Sequence, residues 1–137
     1  MELREANESD LALLANWNRE LIEDERADNT MTVAQLELRL VRWLEGDYEA
    51  VIFEQRGEPV AYALFRPDED GVSLRQFFVA RAQRRRGIGR DAMRIFRERC
   101  LSAGASLSLE VLVHNEGALA FWRALGMREH SIRFRTP

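Results

Sequence analysis

A segment near the middle of the chain combines many arginines with two glycines. Five of the ten residues from Arg81 to Arg90 are arginine, and Gly87 and Gly89 lie among them. An apolar run ends just before this segment, and a helical pattern begins inside it. Such a strand-to-helix loop presents free main-chain N–H groups and the positive end of a helix dipole, and glycine lets an anion approach closely. The segment predicts a phosphate or pyrophosphate site; the alternative is a glycine-containing turn with a solvated basic face.

Two common nucleotide-binding motifs fit this segment poorly. A Walker A loop needs a lysine, whereas all 20 basic residues of this chain are arginine. Residues Gly87 to Ala92 formally match the G-x-G-x-x-A fingerprint of dinucleotide-binding folds, and Glu110 follows about 20 residues later. The apolar runs before Gly87 are joined by short turns, however, which favours hairpins over strand–helix alternation. The chain also ends at Pro137, too soon to complete a doubly wound sheet.

Hydrophobic periodicity predicts the elements that must position this segment. Alternating or continuous apolar runs bounded by turn residues indicate strands, and spacing of three and four residues indicates helices. Thr32 and Gln35 form a capping box at the start of the second helix. The order β-α-α-β-β-β-α-β-α-β predicts a mixed α/β (α+β) fold. The predicted strands are 3–6, 50–54, 60–65, 72–79, 107–113 and 127–135, and the predicted helices are 10–25, 33–45, 87–101 and 118–125.

Length and composition restrict the class of protein. With 137 residues the chain is expected to form one domain over residues 1–137, and 46% hydrophobic with 31% charged residues is typical of a folded one. The net charge of −3 argues against nucleic acid or anionic lipid as a partner. Cys100 is the single cysteine, which excludes a disulfide framework and the usual zinc clusters, so we expect no metal. The apolar runs are too short to span a membrane and the start lacks a signal peptide's apolar core, so we expect a cytoplasmic protein.

Two groups of residues resemble signatures of one enzyme family. Phe77-Phe78-Val79 followed by Arg84-Arg85-Arg86-Gly87-Ile88-Gly89 resembles the R/Q-x-x-G-x-G/A motif of the GCN5-related N-acetyltransferases (the GNAT superfamily). Leu109-Glu110-Val111, Asn115, Ala118, Phe121-Trp122 and Leu125-Gly126-Met127 resemble the C-terminal signature of the same family. The element order also matches, so the resemblance covers nearly the whole chain. It implies a central, mostly antiparallel sheet with helices on both faces, and transfer of an acetyl group from acetyl-CoA to a primary amine of a small molecule or peptide by direct attack.

The resemblance also implies where coenzyme A binds. Main-chain N–H groups of Arg85 through Arg90 would hold the pyrophosphate, and the strand that ends at Val79 would pair with the pantetheine arm where it splays from the next strand. The N–H near Val79 would polarise the thioester carbonyl. Asn115 would hydrogen-bond the pantetheine, or serve as a helix N-cap, and both roles can coexist. The implied cofactor-binding residues are Phe77, Phe78, Val79, Arg84, Arg85, Arg86, Gly87, Ile88, Gly89, Arg90, Asn115, Ala118, Phe121 and Trp122.

Catalytic groups are less fixed by the resemblance. The family often has a tyrosine in the last helix that protonates the thiolate, and this chain has Trp122 there, which is no usable acid; a core role is the alternative. An ammonium cannot attack, so a base must remove a proton. Glu25 and Glu110 are the candidate bases. Acidic side chains at the end of the first helix, a region that borders the acceptor site in this family, would attract a cationic amine or else form a solvated face; they are Glu20, Glu23 and Asp24.

Two further functions and one assembly stay open at this stage. A regulatory module that binds acyl-CoA without turnover is favoured by the missing tyrosine. A nucleic-acid-binding domain would use the arginines between Arg81 and Arg99, against the acidic balance of the chain. A homodimer would cover the edge of a short last strand.

Overall fold

Three apolar stretches form the centre of a five-stranded sheet. In the computed structural model, which describes residues 1–137, they pair antiparallel in chain order as β2 (Glu49–Gln55), β3 (Glu58–Pro67) and β4 (Gly71–Val79). At one side of them lies the antiparallel β1 (Glu2–Glu5), and at the other the parallel β5 (Ser106–Leu109), which gives the order β1-β2-β3-β4-β5. Four of the five strands are thus joined antiparallel, as expected.

Four α-helices cover the two faces of the sheet. They are α1 (Leu11–Glu25), α2 (Val33–Glu45), α3 (Ile88–Cys100) and α4 (Glu116–Ala124). The predicted capping box opens α2, since the Gln35 N–H donates to Thr32 Oγ1 over 3.2 Å and the Thr32 N–H donates to Gln35 Oε1 over 2.9 Å. Short 3₁₀ turns precede α1 at Glu8–Asp10 and follow β4 at Arg81–Gln83.

Successive residues of β3 point to opposite faces of the sheet, and different helices cover each face. Tyr62 and Leu64 pack with Leu14, Trp17 and other side chains of α1 and α2. Ala61 and Ala63 point the other way, into the core formed with α3 and α4. Every residue from Val60 to Phe65 is buried, because helices cover both sides of this central strand. The mixed α+β fold with helices on both faces, predicted from the sequence, is confirmed.

The last two strands of the sheet part after a short paired segment. β4 and β5 are in register only from Gly71 opposite Ser106 to Leu74 opposite Leu109. The pairing of β3 with β4 shifts register between Leu64 and Phe65, whose partners are Gln76 and Leu74, so Arg75 is the extra residue of a bulge. A bulge bends its strand and increases its twist. From Arg75 onward, β4 therefore has a strand neighbour on one side only.

Two predicted strands need correction. The strand predicted over 107–113 ends at Leu109, because β4 has turned away and offers no further hydrogen-bond partners. The final strand predicted over 127–135 is wrong, since residues 127–137 pair with no strand. Its apolar members Ile132 and Phe134 are 74% and 89% exposed, so no buried face holds this tail on the sheet.

No helix of the structure combines the length and apolar character that crossing a membrane requires.

Candidate active site

The loop between β4 and α3 presents a run of unpaired main-chain donors. None of the N–H groups from Arg85 to Arg90 donates a hydrogen bond within the protein, and the first intrahelical bond of α3 runs from the Asp91 N–H to the Gly87 carbonyl over 3.0 Å. Arg85 and Gly87 have φ of 64° and 74°, which turns the backbone twice before the helix begins. The first turn of α3 adds the positive end of its dipole. The loop therefore has free main-chain donors, as the predicted phosphate site requires.

The arginines of this loop divide into two groups by what their guanidinium groups contact. Arg81 and Arg84 face the C-terminal end of α1: Arg81 Nη2 lies 2.9 Å from Asp24 Oδ1, and Arg84 Nη2 lies 2.7 Å from Asp24 Oδ2. Arg84 Nε also donates to the Val79 carbonyl over 3.0 Å. The other three make no ion pair and are exposed to solvent; they are Arg85, Arg86 and Arg90.

The acidic residues predicted to attract the amine lie against these arginines. Glu20 Oε1 and Glu23 Oε1 are 3.3 and 3.2 Å from the Arg81 guanidinium. Burial raises the pKa of Asp24, but hydrogen bonds from Arg81 and Arg84 outweigh this and hold the pKa below its usual value. In this structure the three carboxylates therefore join α1 to the start of the loop.

The end of β4 has a main-chain edge beside the loop that pairs with no other strand, although its Val79 carbonyl accepts from Arg84 Nε. The Ala80 N–H donates to the Val60 carbonyl over 2.9 Å, so in the alternating antiparallel ladder the main-chain groups of Phe77 and Val79 point away from β3. On that side β5 has already departed. The Phe78 side chain lies on the sheet face that carries α1, where it contacts the Trp17 ring and the Arg84 guanidinium. An extended chain can therefore pair with the edge of Phe77 and Val79.

Packing of α3 against α4 explains one of the two loop glycines. A Cβ at Gly89 would lie 2.8 Å from Phe121 Cε1 and 3.6 Å from Val79 Cγ2. Phe121 stacks on Phe77 at a centroid distance of 6.0 Å and meets Trp122 edge-on at 4.9 Å. Ile88 and Trp122 are buried in the same core, and Ala118 packs against it. Trp122 is therefore a core residue, which is the alternative given for it in the sequence analysis.

Asn115 caps α4 with one half of its side-chain amide. Its Oδ1 accepts a hydrogen bond from the Ala118 N–H over 3.2 Å, which is the N-cap role that the sequence allowed. Its Nδ2 donates to no group of the protein. The capping bond holds the side chain at the start of α4 and leaves this amide nitrogen free.

Glu25 lies where the end of α1 meets the loop after β5. His114 Nε2 is 2.6 Å from the Glu25 carbonyl, and Arg26 Nη2 donates to the His114 carbonyl over 2.9 Å. Burial, with a contribution from the charge of Asp24, raises the pKa of Glu25 above its usual value, partly offset by His114. A carboxylate with a raised pKa suits a base that works near neutral pH. Glu110 is exposed and makes no hydrogen bond or ion pair.

A buried tyrosine lies close enough to Glu25 to feel its charge. Tyr62 is 1% exposed, and its hydroxyl donates to Gln76 Oε1 over 2.9 Å. Burial first, and then the charge of Glu25, raises the pKa of Tyr62 far above its usual value, so the hydroxyl stays protonated. Sequence reasoning missed Tyr62, because an apolar strand pattern gives no signal that one of its core residues carries a hydrogen bond to the next strand. It likewise did not predict that Arg81 joins the arginine-rich segment to α1.

Comparisons with known proteins agree with this geometry. A family model described as "Acetyltransferase (GNAT) family" matches residues 13–127. The chain belongs to the acetyltransferase (GNAT) family. The resemblance read from the two sequence signatures is therefore confirmed. No curated protein matches the chain.

Solved structures share the fold of this GNAT chain at low sequence identity. A possible acetyltransferase from Clostridium difficile 630 has a TM-score of 0.81 and 20% identity, covering 99% of this chain and 95% of its own. The aminoglycoside N-acetyltransferase AAC(6')-Iy in complex with CoA has a TM-score of 0.73 and 16% identity, covering 98% and 93%. A ribosomal-protein-alanine N-acetyltransferase from Brucella melitensis has a TM-score of 0.72 and 20% identity, covering 96% and 86%. At these identities the likeness shows the fold alone.

No group of three or more His, Cys, Asp or Glu side chains in residues 1–137 is arranged to hold a metal ion.

Proposed function

We propose that residues 1–137 act as one N-acetyltransferase domain, which moves an acetyl group from acetyl-CoA to a primary amine of a small molecule or peptide. The observation that carries this proposal is the uninterrupted set of free main-chain N–H groups from Arg85 to Arg90. Backbone donors at a helix N-terminus bind phosphate oxygens, and the unpaired guanidinium groups beside them add positive charge.

Each part of the coenzyme has residues suited to it. The pyrophosphate fits the N–H groups of the loop, the amides of the pantetheine arm fit the outward edge of Phe77 and Val79, and the Asn115 amide nitrogen at the start of α4 has no partner in the protein. Acetyl-CoA supplies an activated thioester. The Val79 N–H would stabilise the charge that develops on the acyl oxygen, as backbone donors do in other acyl-transfer enzymes.

Glu25 is the base that the geometry favours over Glu110. It is partly buried, its pKa is raised, and its carbonyl contacts His114 in the loop after β5. It would take a proton from the ammonium form of the acceptor before attack. The buried Trp122 offers no acid, so the sulfur would leave as a thiolate, which a thiol pKa of about 8.5 permits. Glu20, Glu23 and Asp24 would act on the acceptor only indirectly, by holding the coenzyme loop against α1.

Calorimetric titration of the folded protein with acetyl-CoA tests the coenzyme site. We expect saturable binding that weakens as salt is added, because phosphate contacts are partly electrostatic. Absence of heat at high micromolar acetyl-CoA would overturn the proposal.

Trp122 favours one alternative, a module that binds acyl-CoA without turnover. Release of free thiol from acetyl-CoA in the presence of a panel of primary amines separates the two. Amine-dependent release supports the transferase, and tight binding with no release for any amine supports the module.

A further inference from the structure

Two arginines from different elements share one tryptophan on the face of the sheet that carries α1 and α2. The Cζ atoms of Arg39 and Arg75 lie 4.4 and 4.5 Å from the centroid of the Trp43 ring. Arg75 Nη1 also lies 3.4 Å from the Tyr48 hydroxyl, and the rings of Trp43 and Tyr48 are 5.3 Å apart. We refer to Arg39, Trp43, Tyr48 and Arg75 as the arginine–aromatic cluster.

The positive charge of this cluster has no counter-ion within the protein. Neither Arg39 nor Arg75 lies within 4.0 Å of a carboxylate, whereas the neighbouring Arg66 pairs with Asp47 at 3.9 Å. Arg39 donates through Nη2 to Asn18 Oδ1 over 3.1 Å, but its buried Nε has no partner. Burial, followed by repulsion from Arg75, lowers the pKa of Arg39 from its usual value. An arginine stays charged in proteins, so two such groups that share the Trp43 ring without a counter-ion favour an anion.

The cluster lies near the strand edge proposed for the pantetheine arm, since Arg75 comes two residues before Phe77 on β4. Arg75 is the bulge residue of β4 and precedes Gln76, which accepts the hydrogen bond of the Tyr62 hydroxyl. The charges of both Glu25 and Arg39 act on that hydroxyl. A negative group suited to an amine and a positive group suited to an anion therefore both act on the same buried hydroxyl.

We propose that the acceptor is an amine that also carries a carboxylate, such as an amino acid or short peptide, and that Arg39 and Arg75 bind this carboxylate while Glu25 faces the amine. This inference rests on the proposed transferase function and names its substrate class. A guanidinium group matches a carboxylate in shape and charge and donates two parallel hydrogen bonds to it. Polycationic amines would instead be repelled by the pair.

Turnover with matched acceptors tests the charge preference. Thiol release from acetyl-CoA is measured for a panel of amino acids and dipeptides, each beside its C-terminal carboxamide, and for a polyamine. We expect kcat/KM to be at least tenfold higher for the carboxylate of the preferred pair, because hydrogen bonds between charged groups are the stronger ones. Equal turnover of carboxylates and carboxamides, or a preference for the polyamine, would overturn the inference and leave the transferase function standing.

Two variants locate the preference in the cluster. Arg39→Gln and Arg75→Gln should raise KM for the carboxylate about tenfold or more while leaving its carboxamide and the KM for acetyl-CoA unchanged. Arg75 is exposed, so its replacement is not expected to unfold the protein even if Arg39→Gln does. Arg66→Gln is the matched control, since that arginine already has a carboxylate partner. A loss shared equally by carboxylate and carboxamide would contradict the assignment.

A binding measurement makes the inference independent of catalysis. N-acetyl amino acids and their amides, which are the products of the expected reaction, are titrated into the protein by calorimetry. Binding of the carboxylates that is weakened in Arg75→Gln supports the site even if no amine is turned over, a result that would count against the transferase alone. Equal or absent binding of both product forms would overturn the inference.

Discussion

Burial of the Glu25 carboxylate affects both its ability to accept a proton and the stability of the fold. Its carboxylate is partly buried beside Asp24, which raises its pKa above the value expected in the unfolded chain. The folded state therefore binds its proton more tightly. This preference stabilises the fold at low pH and is lost as pH rises through the pKa of the folded state. In its ionised form the carboxylate costs stability, and only in that form could it accept the proton that the proposed reaction removes from the acceptor.

Replacement of Glu25 by glutamine should therefore separate stability from turnover. Glu25→Gln is expected to lower kcat about 100-fold, because a positioned base typically contributes that much or more. It should also abolish the rise of kcat with pH that the raised pKa of Glu25 produces. The free energy of unfolding at pH 7 should increase, as measured by urea denaturation.

Two control variants sharpen this prediction. Asp28→Asn removes an exposed carboxylate from the loop after α1 and should change neither quantity. Glu110→Gln is run in the same pH profile. If the rise of kcat with pH disappears in Glu110→Gln and survives in Glu25→Gln, the base has been assigned to the wrong residue.

Gly89 is required by a neighbouring ring as much as by any ligand. A Cβ at this position would lie 2.8 Å from Phe121 Cε1, and that ring is held between Phe77 and Trp122. Gly89→Ala should therefore destabilise the protein by about 1–3 kcal/mol despite the better helix propensity of alanine. Gly87→Ala meets no atom within 4 Å but has a φ of +74°, so it should cost roughly 1 kcal/mol through the backbone alone.

Thermal unfolding of a double variant tells the two causes apart. Adding Phe121→Leu should recover part of the stability lost in Gly89→Ala and none of that lost in Gly87→Ala. Recovery in both, or in neither, would show that the ring is not the reason for the glycine.

At the scale of elements, the C-terminal end of α1 connects the two halves of the site. Asp24 binds the start of the loop between β4 and α3 through Arg81 and Arg84, while the carbonyl of the next residue, Glu25, contacts His114 in the loop after β5. The loop therefore contains arginines that hold it in place and arginines that are free to bind phosphate. The sequence alone cannot distinguish these two roles, because all of the residues are arginines in one short segment.

Single arginine replacements should separate anchoring from binding. Arg84→Ala removes a hydrogen bond to the Val79 carbonyl, an ion pair with Asp24 and a contact over the Phe78 ring, and should lower stability by about 1–2 kcal/mol. Arg85→Gln and Arg90→Gln remove unpaired groups, so they should leave the melting temperature unchanged and weaken CoA binding several-fold, with a reduced salt dependence. Calorimetry and thermal unfolding of the three variants provide the test. A melting temperature lowered equally in all three would contradict the division.

Elements whose sequence signal is local were predictable, and sites assembled from distant residues were not. Thr32 and Gln35 identify the start of α2 because a capping box lies within four residues, and the apolar spacing from Ile88 onward identifies α3. The arginine–aromatic cluster joins α2, the residues after it and β4. No periodicity records that these side chains meet. The same reason hides the contact of Tyr62 with Gln76, which depends on the register of two strands.

At the scale of the whole molecule, the C-terminal tail (residues 127–137) pairs with no strand of the sheet. An ion pair between Arg123 and Glu129 holds its beginning beside α4. Beyond this point Ile132 and Phe134 alternate with polar residues as in a strand, yet they are 74% and 89% exposed. β5 is at the same time an edge strand, with β4 on one side only. The strand-like segment of one copy can therefore pair with the exposed edge of β5 in a second copy.

Self-association should therefore depend on the tail and not on the rest of the surface. We expect sedimentation of the full chain to show a dimer that forms with rising concentration. Removal of residues 131–137, which keeps the Arg123–Glu129 pair, should give a monomer with an unchanged melting temperature at low concentration, because those residues add nothing to the core. The double variant Ile132→Ser/Phe134→Ser should also be monomeric, while Arg128→Ser, a change at an exposed residue nearer α4, should dimerise as the parent does. A full chain that stays monomeric at high concentration, or a truncated chain that still dimerises, would show that the tail does not pair between copies.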